Sequence, residues 1–106
     1  MNPAIRRALA ELKRQLETIY GERLKGLYVF GSYARGEADH ESDLDVLIVL
    51  DQVHDYSQEI DRTSAVISDL SLPSGVTISR VFVSEQRWKT DQANFFLNVR
   101  GEAVPA

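Results

Sequence analysis

Phe30-Gly31-Ser32-Tyr33-Ala34-Arg35-Gly36, followed after five residues by Ser42-Asp43-Leu44-Asp45-Val46-Leu47-Ile48-Val49-Leu50, is the stretch that decides the fold. Leu44 to Leu50 is too short and too β-branched to prefer helix. It is apolar on both faces beyond Asp45, so it reads as a central strand. Leu27, Tyr28, Val29 and Phe30 form a shorter β-prone run between Gly26 and Gly31, a buried strand ending in a turn. After that turn Tyr33, Ala34 and Arg35 can start a helix, and a polar loop through Asp39, His40 and Glu41 leads to the second strand. Side chains alternate along a strand, so Asp43 and Asp45 share one face, their Cα atoms roughly 6.6 Å apart, with Leu44 buried on the other.

This arrangement carries chemistry. A strand that turns into a helix presents free backbone N–H groups and a partial positive charge, which together suit an anion. Gly31 lets a phosphate approach the backbone with no Cβ in the way, and Ser32 adds a hydroxyl donor. Two adjacent like charges at the start of a buried strand are costly without a cation. Mg²⁺ suits a site of one or two carboxylates completed by substrate phosphates. A phosphate cradle thus stands beside a metal clamp, as metal-assisted phosphoryl-type transfer requires. Either half alone is a common feature of loops and surfaces, so the inference rests on their combination.

The rest of the chain builds a frame around this segment. Ile5, Leu9, Leu12, Leu16, Ile19 and Tyr20 fall at helical spacing, with Asn2 as N-cap, Pro3 in the first turn and Gly21 as the stop. Arg6, Arg7, Lys13 and Arg14 give that helix a basic, solvated face. Tyr56, Ile60, Thr63, Ile67 and Leu70 mark a helix packed on the sheet, which Pro73, Ser74 and Gly75 end with a turn. Val76 to Val83 is a third strand with Val76, Ile78 and Phe82 on one face, interrupted by Arg80. Thr77, Ser79, Val81 and Val83 lie on the other face. Trp88, Phe95, Phe96 and Val99 suggest a short closing helix, and Trp88, Phe95 and Phe96 read as core or partner surface. The expected fold class is α/β (α+β): a small mixed sheet of at least three strands covered by helices, in one domain spanning residues 1–106.

Composition narrows the function. With no cysteine among 106 residues there is no disulfide framework, zinc thiolate or thiol nucleophile. No window offers the apolar run a membrane span needs, and the chain is expected to be cytoplasmic. A net charge of −4 argues against direct binding to nucleic acid by phosphate attraction. The average conceals a segregation: residues 37–69 hold ten acids against one basic residue, and Asp43 and Asp45 lie among them. Arg35 can meet a phosphate or pair with the acidic loop. Tyr33 packs locally or stacks on a base. His40 is a solvated loop residue, and His54 opens the following helix.

Gly31-Ser32, ten intervening residues and Asp43-Leu44-Asp45 running into an apolar strand resemble the signature of the DNA polymerase β superfamily of nucleotidyltransferases. The fuller spelling, Gly31-Ser32-Tyr33-Ala34-Arg35-Gly36 with Ser42 before the first aspartate, is similar to the minimal nucleotidyltransferases, which are often paired with HEPN proteins as toxin-antitoxin modules. The resemblance implies that Gly31, Ser32, Arg35 and Ser42 bind the nucleotide, and that Asp43 and Asp45 are catalytic ligands of two Mg²⁺ ions. It further implies transfer of AMP from ATP to a hydroxyl of a HEPN-type toxin. Active members of the superfamily draw a third carboxylate from a later strand. Here Ser79 or Thr77 takes that face. Two functions follow: an adenylylating antitoxin with a tyrosine as acceptor, or a module of the same fold that blocks its partner sterically. A tyrosine is expected because a phenol, with a pKa near 10, gives up its proton more readily than an alcohol and depends less on a general base.

Overall fold

The computed structural model describes residues 1–106. Helix α1 (Pro3–Tyr20) opens on the expected cap: Asn2 Oδ1 accepts the Ile5 N–H at 2.9 Å, and Pro3 occupies the first turn. Its buried stripe is Ile5, Ala8, Leu9, Leu12, Leu16 and Tyr20. A 3-10 turn, Gly21–Arg23, leads into β1 (Leu24–Phe30), and the short α2 (Ser32–Arg35) follows directly on Gly31. Then come β2 (Leu44–Leu50), α3 (Tyr56–Ser74), β3 (Ile78–Ser84), α4 (Glu85–Thr90), α5 (Asn94–Glu102) and the two-residue β4 (Val104–Pro105).

The four strands lie in the order β3-β2-β1-β4. β2 runs antiparallel to β1 and parallel to β3, and β4 adds an antiparallel edge to β1, so the sheet is mixed. On β2, Leu44, Val46, Ile48 and Leu50 point toward α1 and α3 and join the larger core with Leu9, Leu12 and Leu16. Leu47 and Val49 point the other way, onto Val83, Phe96 and Val99. A strand covered on both faces needs an almost uninterrupted apolar run, and β2 supplies one beyond Asp45.

Several elements differ from the expectation. β1 begins three residues ahead of its apolar run, because Leu24 and Gly26 pair with Leu50 and Val49 across a bulge. α3 continues through Pro73. A proline in the last turn removes only one ladder hydrogen bond, and the helix stops at Gly75, which is left-handed with φ 72°. β3 occupies Ile78–Ser84, two residues later at its start than the apolar pattern. The single closing helix is two helices. Asp91 breaks it by accepting the Ala93 N–H at 2.8 Å, and Arg100 spans the corner to the Trp88 and Asp91 carbonyls. β4 was not expected at all.

Trp88 packs on Tyr28 with ring centroids 5.0 Å apart and Phe96 is buried, so both belong to the second core. Phe95 is half-exposed beside Phe30, 5.8 Å between centroids. Arg80 lies on the α3 side of the sheet, donating to Thr63 Oγ1 and the Ile60 carbonyl at 2.8 Å each, and so ties α3 to β3. His40 is solvated, and His54 lies ahead of α3, whose cap is Asp55. No helix is long and apolar enough to cross a membrane.

Candidate active site

Gly31 joins β1 to α2 with φ 74° and ψ −154°, a conformation L side chains rarely adopt. A Cβ there would also run into Asp45 Oδ2, so the backbone at 31 lies directly against that carboxylate. Two strands create this closeness: Phe30 is the register partner of Asp45 across β1 and β2, and the chain turns immediately after it. On the other side Asp45 is in register with Ser79 of β3.

Asp43 directly precedes β2 and Asp45 is its second residue, and the two carboxylates lie near enough for the charge of Asp43 to act on Asp45. The Asp45 carboxyl is pushed above the ordinary carboxylate range, first by burial and then by Asp43, with Arg35 opposing and Glu102 adding to the shift. Neither carboxylate makes an ion pair or a hydrogen bond within the chain. No cluster of three or more acids or histidines converges on one point. The donor set fits a hard divalent cation that takes its remaining ligands from phosphate and water, and it is poor for a cation caged wholly by protein.

The other expected residues divide. Ser32 begins α2, and no partner within the chain engages its hydroxyl. Arg35 pairs with Glu37 of the acidic loop at 3.1 Å and with Glu102 at 3.0 Å. Ser42 is committed to shaping the loop: its hydroxyl accepts the Asp39 N–H at 3.0 Å and donates to Asp39 Oδ1 at 3.2 Å. Tyr33 packs against the large core. Ser79 is exposed and in register with Asp45, and it brings a hydroxyl and not an acid to that position. Thr77 precedes β3, and its carbonyl accepts the Leu44 N–H at 2.9 Å.

One residue escaped the sequence reading. Glu102, the last of α5, reaches into the site, where its Oε2 accepts the Gly31 N–H at 2.6 Å. Its separation in sequence, 71 residues, leaves no local pattern that could have announced it.

Known proteins are similar to this chain in sequence and in fold. Residues 9–97 match the family model of the nucleotidyltransferase domain. Two chains of Methanocaldococcus jannaschii, provisionally named protein adenylyltransferases MJ0604 and MJ0141, are similar to it. The first is 38% identical over 76% of this chain and 74% of its own, the second 31% identical over 91% and 92%. Among solved structures, a provisionally assigned nucleotidyltransferase from Sulfolobus solfataricus superposes with a TM-score of 0.69 at 20% identity, covering 96% of this chain and 80% of the other. A provisionally assigned minimal nucleotidyltransferase superposes with a TM-score of 0.61 at 24% identity, over 96% and 92%. A toxin-antitoxin structure with AMP-PNP does so with a TM-score of 0.61 at 16% identity, over 90% and 69%. These structures share the fold, while the family match and the sequence relatives carry the relationship: the chain belongs to the nucleotidyltransferase domain family.

Proposed function

We propose that this nucleotidyltransferase moves AMP from Mg·ATP onto a hydroxyl of a partner protein, a tyrosine of a HEPN-type ribonuclease toxin, and so acts as its antitoxin. The observation that carries the reading is the uncompensated pair Asp43 and Asp45 set directly against the Gly31 backbone. The names of the sequence relatives and of the toxin-antitoxin neighbour support the protein acceptor.

Mg²⁺, as two ions in the family's pattern, would be held by Asp43 and Asp45 and would supply positive charge for the phosphates and the developing pyrophosphate. The chain itself does the rest. The Gly31 N–H, the Ser32 hydroxyl and the Arg35 guanidinium orient the phosphates beyond the α-position, and Ser42 holds the loop that carries Asp43. The acceptor oxygen bonds to the α-phosphorus and the bond from that phosphorus to the bridging oxygen breaks. Its electron pair leaves with pyrophosphate, and the acceptor proton passes to solvent. Because Ser79 stands where an acid would take that proton, the more acidic phenol is the acceptor.

Incubating the protein and its HEPN-type partner with ATP and Mg²⁺, then mapping the added mass by fragmentation, tests this. AMP on a tyrosine is expected, and Ser79→Asp should not be needed for it. Modification on serine, threonine or RNA overturns the acceptor argument. No modification, with tight binding kept, replaces the reading by the steric module that Ser79 favours.

A further inference from the structure

Glu102 occupies an unusual place for a carboxylate. It ends α5, where the helix dipole disfavours a negative charge, and it adds its charge to the neighbourhood of Asp45. What holds it there is a pair of donors: the Gly31 N–H at 2.6 Å and an Arg35 guanidinium N–H at 3.0 Å, both onto Oε2. The side chain is mostly covered, at 21% exposure. Its backbone is fixed as well. Beyond Ala103 the chain pairs with β1, Val104 opposite Val29 and Pro105 opposite Tyr28, and the Ala106 N–H donates to the Leu27 carbonyl at 2.9 Å. This pairing delivers Glu102 to the end of β1 where Gly31 lies.

Carboxylate and phosphate oxygens ask for the same partners, a backbone N–H and a guanidinium. We infer that Glu102 is an internal occupant of the phosphate seat at Gly31 and Arg35, and that a nucleotide's phosphates must displace its carboxylate to bind there. The inference rests on the nucleotide reading above. A role as the missing third metal carboxylate is less well supported: its Oε2 is spent on Gly31 and Arg35, and it does not converge with Asp43 and Asp45 on one point.

The test uses inorganic pyrophosphate, which needs neither the nucleoside nor transfer. The whole chain and its Glu102→Gln and Glu102→Ala variants are titrated at one ionic strength, by calorimetry and by the amide resonance of Gly31. Removing a competing charge-assisted contact should tighten pyrophosphate binding by about tenfold in Glu102→Gln, with the Gly31 amide shifting on saturation in every form. Equal or weaker binding in both variants, or saturation of the native chain without movement of the Gly31 amide, overturns the inference. Tightened pyrophosphate binding with no AMP transfer under any condition would leave the inference standing and refute the adenylylation reading alone.

Discussion

The two ends of β2 both carry acids, and they treat them in opposite ways. At the far end Asp51 takes the Arg23 guanidinium at 3.0 Å and the Gln52 N–H at 2.7 Å, which hold its carboxyl below the usual range, the Gln52 N–H foremost. Beside it Glu59, 3% exposed, accepts the Tyr20 hydroxyl at 2.8 Å and faces Arg23 at 3.5 Å and Arg62 at 3.8 Å. Every charge there is answered within the chain. At the near end Asp43 and Asp45 have no such answer, and the environment raises Asp45. A fold that neutralises one acidic cluster on a strand and leaves the other open separates a structural role from a functional one. In the proposed function that open pair takes its counter-charge from an outside cation.

The sharpest way to break the contrast is to neutralise the open end. Asp43→Asn with Asp45→Asn should lower the rate of AMP transfer by at least about a thousandfold, since the charge that holds the cation is lost. ATP binding measured by calorimetry should lose its dependence on Mg²⁺ or Mn²⁺ at the same time. Equal ATP binding by the native chain in Mg²⁺ and in chelator would refute the clamp.

The closed end should respond through stability instead. Glu59→Ala leaves the buried Tyr20 hydroxyl without its acceptor and removes the carboxylate that faces Arg62 and Arg23, although Arg23 keeps Asp51, and should cost about 2–3 kcal/mol in urea unfolding. Glu59→Gln keeps an acceptor for Tyr20 and should recover part of that loss. AMP transfer at temperatures where the variant remains folded should stay unchanged. A collapse of transfer in a fully folded Glu59→Ala chain would end the division between the two ends.

How much of this was legible depends on the range over which each feature is encoded. α1, β2 and the Gly31 turn are written in contiguous residues, through a cap, an apolar run and a glycine, so pattern sufficed. The nearness of Asp43 and Asp45 is encoded by their spacing of two, whereas the register of Ser79 with Asp45 is set by the pairing of β2 with β3. Edge extensions were not legible: β1 gains Leu24 to Gly26 and β4 exists at all because neighbouring backbone lies within pairing distance, which no side-chain pattern reports. The split between α4 and α5 depends on Asp91 and on Arg100 nine residues later. Glu102 is the extreme case, a site residue supplied by the docking of β4. Sequence alone allows Arg35 a phosphate or the acidic loop, and in the fold it pairs with Glu37 of that loop and with Glu102.

The smallest effect sharpens the comparison most, because its sign distinguishes the two ends. Burial and then Asp43 raise the Asp45 carboxyl, so its protonated form is the one the fold favours. The stability associated with it is fully present below the unfolded value, about 3.9, and is lost as pH rises through the higher folded value. At neutral pH without metal the ionised Asp45 therefore works against the fold. Asp45→Asn should melt slightly higher than the native chain in chelator at pH 7, and the advantage should shrink as pH falls through the acid range. Excess Mg²⁺ with ATP should reverse the order, stabilising the native chain and leaving the variant where it was. Asp51→Asn should behave in the opposite sense. Its lowered carboxyl contributes stability above the unfolded value that is lost as pH falls through the folded one, so the variant should melt lower at pH 7 and close the gap in acid. Melting curves of both variants at pH 3, 5 and 7 decide it, and an Asp45→Asn chain that melts below the native one at every pH would mean that Asp45 is a structural acid like Asp51.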